Sequence, residues 1–222
     1  MTTRPILSWP DDRLTIKCEP ITEFDEELRN LIGDMIDTLN VNHGIGLAAP
    51  QVGVLKKVVV IKRCDITGVN SDENLILINP SVKLSGKQRS WKESCLSVPG
   101  FSGRVARALE TTVTYQDDVG DPQSLEASWP LSAVIQHECD HLDGVLYLQR
   151  MKRTSQRVLT KRLRNRKKKE QHQLQEYHRH RQEELVSVWA APSKKKPASK
   201  RPAAGELNRK KVARNSRRRN RG

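Results

Sequence analysis

Residues His137-Glu138-Cys139-Asp140-His141 set two imidazoles four positions apart, with a carboxylate directly after the first. Positions four apart lie on one face of a helix, so His137 and His141 can grip a single ion. Glu138 is offset from that face by one residue and can reach a water beside the ion rather than the ion itself. Such a set suits metal-assisted hydrolysis, in which the ion activates water and the carboxylate handles its proton. A surface helix that happens to carry two histidines is the plainer alternative.

Two histidines leave a third ligand to find. A carboxylate or a histidine further downstream would read as a zinc endopeptidase. Here the later histidines, His172, His178 and His180, stand in charged sequence unsuited to covering a site. Cys95, within Glu93-Ser94-Cys95-Leu96-Ser97-Val98-Pro99-Gly100, is the better candidate. A thiolate with two imidazoles suits Zn(II) or Fe(II) and leaves a fourth position for water. Cys18, Cys64 and Cys139 read as small buried hydrophobes.

The elements that must position these residues show in the apolar pattern. Thr22 followed by Asp25 resembles a capping box, and Leu28, Leu31, Ile32, Met35, Ile36 and Leu39 form a stripe. Together they predict a helix over Phe24–Val41, ended by His43-Gly44-Ile45-Gly46. Strand-like runs follow at Ile6–Trp9, Val58–Ile61, Leu75–Ile78, Thr111–Tyr115 and Leu125–Trp129, with turn residues at Asn79-Pro80 and around Asp117–Pro122. A second helix carries the two histidines from Pro130 to near Gly144. A helix, several antiparallel strands and a helix make an α+β fold, with strands packed around the metal-binding helix.

Charge divides the chain. Residues 1–150 hold 15 Lys and Arg against 21 Asp and Glu, whereas 151–222 hold 25 against 5. The overall net charge of +14 therefore averages an acidic domain with a cationic extension. Residues 1–150 hold the core-forming runs; 151–191 read as a basic helix, and 192–222, rich in Lys, Arg, Pro and Ala, as a disordered tail. No stretch has a signal-peptide pattern or the roughly 18 apolar residues of a membrane span, so a cytoplasmic protein without membrane contact is expected.

Three motifs in order resemble the peptide deformylase family: Gly44-Ile45-Gly46-Leu47-Ala48-Ala49-Pro50-Gln51, Glu93–Ser97, and Gln136–Leu142. The opening Ile6–Leu14 is similar too, and the resemblance covers about residues 1–150. It implies removal of the formyl group from the N-terminal Met of nascent chains, releasing formate. One divalent ion would be bound by Cys95, His137 and His141, as Fe(II) in the cell and replaceable by Zn(II), Ni(II) or Co(II). Glu138 would move the protons, and the Gln51 side-chain amide and the Leu96 N–H would stabilise the oxyanion. Ile45, Ala133 and Val134 would line a pocket for the Met side chain, while backbone around Ile45-Gly46 and near Gly100 would pair with an extended peptide. A Glu93–Arg107 pair would brace the Cys95 loop. Ser94 stands where the family's motif has Gly, so altered local packing is expected there.

A deformylase works on chains leaving the ribosome, and the basic patch at Arg162, Arg164, Arg166, Lys167, Lys168 and Lys169 suits phosphate contacts with rRNA. A monomer is expected. The competing readings are a zinc endopeptidase and a nucleic-acid-binding protein with an inactive core.

Overall fold

The structure is a computed structural model that describes residues 2–62 and 74–190, the last four by backbone alone. Cys64 and the expected tail at 192–222 lie outside the described residues. Helix α1 (Glu26–Val41) is capped by Asp25, whose carboxylate accepts from the Leu28 N–H at 3.0 Å. Thr22 is too far upstream to reach that turn, which corrects the capping-box reading. The α1 stripe is buried at Leu28, Leu31, Ile32, Met35 and Leu39.

Strands β1 (Gly46–Ala48), β2 (Val58–Lys62), β3 (Asn74–Ser94), β4 (Ser102–Gln116) and β5 (Pro122–Ser128) form an antiparallel sheet in sequence order. Strand β2 is apolar at four successive positions because both its faces are covered. Val58 and Val60 pack with the α1 stripe, and Val59 and Ile61 with the face under α2 (Leu131–Leu142).

Strand β3 runs far beyond the Leu75–Ile78 run. Asn79-Pro80, read as a turn from sequence, is an irregularity inside it, where the register with β4 shifts between Ile78 and Ser81. Asn79 takes φ 51°, and its amide is held by Ile21 and Gln116. Proline, which cannot donate to a ladder, is tolerated at such a bulge. The rest of β3 is largely exposed and polar, so it carries little apolar alternation to reveal it. The segment Ile6–Trp9 is not a strand. Instead the Leu7 N–H donates to the Gln51 carbonyl (2.7 Å) and the Trp9 N–H to the Ser97 carbonyl (2.8 Å).

Helix α2 is bolted to β4 by its own polar side chains. Gln136 Nε2 donates to the Ala108 carbonyl (3.0 Å), its Oε1 accepts from the Ala108 N–H (3.1 Å), and Ser132 Oγ donates to the same carbonyl (2.8 Å). Those bonds fix the rotation of α2 about its axis, and with it the direction of the histidines.

After the short helix α3 (Tyr147–Arg150), helix α4 spans Arg153–Ala190. Leu159 and Leu163 of α4 are buried in a third apolar cluster with Cys95, Val98, Val105 and Tyr147. The compact unit containing the sheet accordingly runs from Met1 to Lys168, beyond the point where the charge changes sign. Apolar burial, not net charge, decides where that unit ends. In the second unit, from Lys169 on, the described part of the helix carries exposed pairs such as His172–Glu176 (3.4 Å).

Candidate metal centre

Two elements deliver the three ligands. Cys95 begins the loop between β3 and β4, and His137 and His141 come from consecutive turns of α2. One ligand atom from each lies within 4.8 Å of the others, and all three residues are buried. Cys95 Sγ is 3.3 Å from His141 Nε2. A buried thiol and two imidazoles pointing at one spot have the donor chemistry and compactness of a site for one divalent ion. Glu138 Oε2 is buried and has no hydrogen-bond partner among the described residues, as fits a carboxylate kept for a water or substrate beside such a centre.

The surroundings tune each group. Glu93 accepts from Arg107 in a two-pronged pair, Nε to Oε1 at 2.7 Å and Nη2 to Oε2 at 3.0 Å. Glu93 Oε2 also lies 2.8 Å from His137 Nδ1, which directs Nε2 of that ring towards the ligand cluster. Burial would raise the Glu93 carboxyl, but Arg107 and His137 outweigh it and hold it at about 2. Burial lowers His137, yet hydrogen bonding to Cys95 and Glu93 leaves it well above the ordinary imidazole value. His141 is pushed well below that value by burial and by the neighbouring charges of His137 and Arg107. Burial lifts the Glu138 carboxyl to about 7, the range that lets one group both take and return a proton near neutrality.

Gln51 sits in the single turn that follows β1 and is 1% exposed. Its Oε1 accepts from the Ala48 N–H at 2.9 Å. That leaves Nε2 aimed at the Ser97 hydroxyl (3.1 Å) and Cys95 Sγ (3.4 Å), so the amide faces the ligand cluster. Gly46 is needed for space: a Cβ there would overlap the Glu138 carboxylate. Ser94 is paired in register with Ser102, in ordinary extended strand, so its position makes no glycine-only demand.

A family model described as polypeptide deformylase matches residues 3–157. The chain belongs to the polypeptide deformylase family. A peptide deformylase of Acidobacterium capsulatum is 40% identical over 165 residues, covering 74% of this chain and 95% of that one. One from Acidothermus cellulolyticus is 44% identical over 151 residues, 68% of this chain and 80% of its own. The solved peptide deformylase of Legionella pneumophila superposes with TM-score 0.69 at 34% identity, covering 76% of this chain and 98% of that one. An Ehrlichia chaffeensis peptide deformylase in complex with actinonin gives 0.68 at 32%, over 75% and 98%.

Against this deformylase framework the structure gathers Cys95, His137, His141, Glu138, Gln51, Glu93 and Arg107 in one place. Leu96 is half-buried against the α1 cluster. Ile45 is 44% exposed, and its carbonyl is taken by the Lys62 N–H at 2.8 Å. Gly46 lies on β1, an edge strand of the sheet. Ala133 is buried, and Val134 packs on the cluster around Val59 and Ile61. Gly100 has φ 76°. Arg162, Arg164, Lys168 and Lys169 are exposed on α4, with Lys167 half-buried. Arg166 is exposed as well but engaged: it donates to the Pro99 carbonyl at 2.8 Å and lies over the Phe101 ring.

Sequence reasoning missed four supporting residues. Asp140 accepts from Arg107 Nη1 (2.7 Å) and from Arg150 Nη2 (2.7 Å), extending the Glu93 network to the surface. Tyr147 stacks on His137 with ring centroids 6.2 Å apart and has a buried hydroxyl without a partner among the described residues. Ser97 receives Gln51. For Asp140 a signal existed, a carboxylate three residues after His137 on the buried helix; for Tyr147 and Arg150 there was none.

Proposed function

We propose that the chain hydrolyses the formyl amide of N-terminal formyl-Met on nascent polypeptides, releasing formate, at one divalent ion held by Cys95, His137 and His141. The observation that carries this is the convergence of those donors with Glu138 and the Gln51 amide. When bound, the ion supplies Lewis acidity, lowering the pKa of water and polarising the formyl carbonyl. Glu138 takes the proton of the attacking water and returns one to the leaving amine. Its buried carboxyl, lifted to about 7, suits both directions of transfer. Gln51 Nε2 and the Leu96 N–H donate to the oxygen on which charge develops, and Gln51 is already held by Ala48, so no reorganisation is needed. Glu93 and Arg107 keep His137 in its coordinating orientation.

In the same reading, Ile45, Ala133 and Val134 face the Met side chain, and Gly46 and Gly100 pair with the peptide backbone. Fe(II) is the ion in the cell, with Zn(II), Ni(II) and Co(II) as substitutes, since the donor set accepts all four. The enzyme works in the cytoplasm as a monomer, which fits a site whose named groups all come from one chain. Residues 151–191 and the tail 192–222 form a basic extension that docks on rRNA through Arg162, Arg164, Lys167, Lys168 and Lys169. Salt-dependent ribosome co-sedimentation of the full chain, compared with a variant in which Arg162, Arg164, Lys167, Lys168 and Lys169 are all replaced by Gln, tests that part, and equal pelleting by both refutes it.

Formate release from a formyl-Met tripeptide is the direct test, assayed with Fe(II), with a chelator, and with Glu138→Ala. Formate is expected only from the metal-loaded parent. Cleavage of internal peptide bonds instead would point to an endopeptidase.

A further inference from the structure

The loop Cys95–Phe101 carries a metal ligand, the Leu96 N–H and Gly100, so its placement bears on every step of the reaction. Its two ends belong to β3 and β4, and the Trp9 N–H holds its middle through the Ser97 carbonyl. The remaining corner, Pro99-Gly100-Phe101, is held from α4. Arg166 Nη1 donates to the Pro99 carbonyl at 2.8 Å, and the guanidinium carbon lies 5.6 Å from the centroid of the Phe101 ring. Gly100 sits between those anchors at φ 76°, and a Cβ there would come within 2.8 Å of Arg166 Nη1. Thus glycine is favoured twice over, by its backbone angle and by the approach of the arginine.

The base of this arm is rigid. One and two turns before Arg166, Leu163 and Leu159 are buried in the cluster that also holds Cys95, Val98 and Tyr147. The guanidinium therefore hangs from a helix already fixed to the loop it touches. A planar fork that donates to a carbonyl while stacking on an aromatic ring is a task for Arg that Lys performs only in part.

We propose that Arg166 is a positioning residue of the deformylase reaction, clamping the Pro99–Phe101 corner so that the Leu96 N–H stays aimed at the developing oxyanion. The proposal rests on the role assigned above to Leu96. It makes the start of the basic extension part of the catalytic unit.

The test compares the full-length, metal-loaded enzyme with Arg166→Ala, Arg166→Lys and, as a charge-matched control on the same helix, Lys161→Ala. Steady-state deformylation of a formyl-Met tripeptide, bound metal, thermal midpoint and amide hydrogen exchange over 96–101 are measured for each. For Arg166→Ala, kcat is expected to fall about ten-fold with KM nearly constant, as for an interaction felt mainly in the transition state. Exchange over 96–101 rises, while bound metal and the thermal midpoint match the parent. Arg166→Lys recovers part of kcat, and Lys161→Ala behaves like the parent. The proposal is overturned if kcat of Arg166→Ala stays within about two-fold of the parent, if kcat falls without faster exchange in the loop, or if Lys161→Ala falls equally. Should Arg166→Ala unfold, Arg166→Met keeps the aliphatic stem and is judged by the same criteria. A parent that releases no formate would count against the deformylase reading, whereas unchanged kinetics in the variants of an active parent counts against Arg166 alone.

Discussion

Replacing Arg107 by Met keeps much of the side chain's length and removes its charge from a place that is 4% exposed. Among the described residues Glu93 then keeps His137 as its side-chain partner, and Asp140 keeps Arg150. Holding Glu93 at about 2 rather than the ordinary 4.5 is worth on the order of 3 kcal/mol. Removing one partner from a buried ion pair costs about 3–5 kcal/mol in general, the same order as this shift, which Arg107 shares with His137. The sign with pH follows from Glu93. In the parent its folded value lies below the unfolded one, so its contribution is complete above about 4.5 and fades as pH falls towards 2. In Arg107→Met, burial is no longer outweighed, and the folded carboxyl rises to meet the unfolded value or pass it. The variant's deficit should therefore hold from pH 7 down to about 4.5 and shrink only as pH falls from there towards 2. Urea unfolding of both chains, with a chelator present so that metal linkage cancels, reads the difference. A deficit of about 3 kcal/mol at pH 7 is expected, with Glu93→Gln in the same chain recovering part of it. A loss under about 1 kcal/mol, or one that does not change with pH, would refute the assignment of Arg107 as the group that makes a buried Glu93 tolerable.

Gly46→Ala should cut kcat by about 10–100-fold with little change in Tm, because its Cβ displaces the Glu138 carboxylate; steady-state kinetics beside a melting curve checks both halves. Tyr147→Phe removes a buried hydroxyl that has no partner among the described residues, so urea unfolding should find it neutral or about 1 kcal/mol more stable. Leu163→Ala should cost about 2–4 kcal/mol in chemical denaturation despite lying in the basic extension, since Leu163 is buried against Val98 and Tyr147.

The motif chemistry was legible in the sequence because it is local. His137, Glu138 and His141 are related by one helical turn, and that period alone sets the two rings on one side. The stripe of α1 and the apolar run of β2 show for the same reason, burial being written into residue spacing. The long polar reach of β3 did not show, since its stability comes from pairing with β4 and not from an alternating face of its own. Asn79-Pro80 misled because turn residues and bulge residues are the same residues; only the strand alongside distinguishes them.

Chain order by itself, then, determined which residues could bind an ion and, through three motifs in sequence, which family they resemble. Tertiary structure decided what those residues can do. It brought Cys95 and Gln51, distant in sequence, to within 3.4 Å, put Arg107 and Asp140 around Glu93, and carried Arg166 of the basic extension back to the Cys95 loop. The physical reason is range: periodicity and turn chemistry act over a few residues, whereas ion pairs and clamps form only where the packed core sets down segments far apart in the chain.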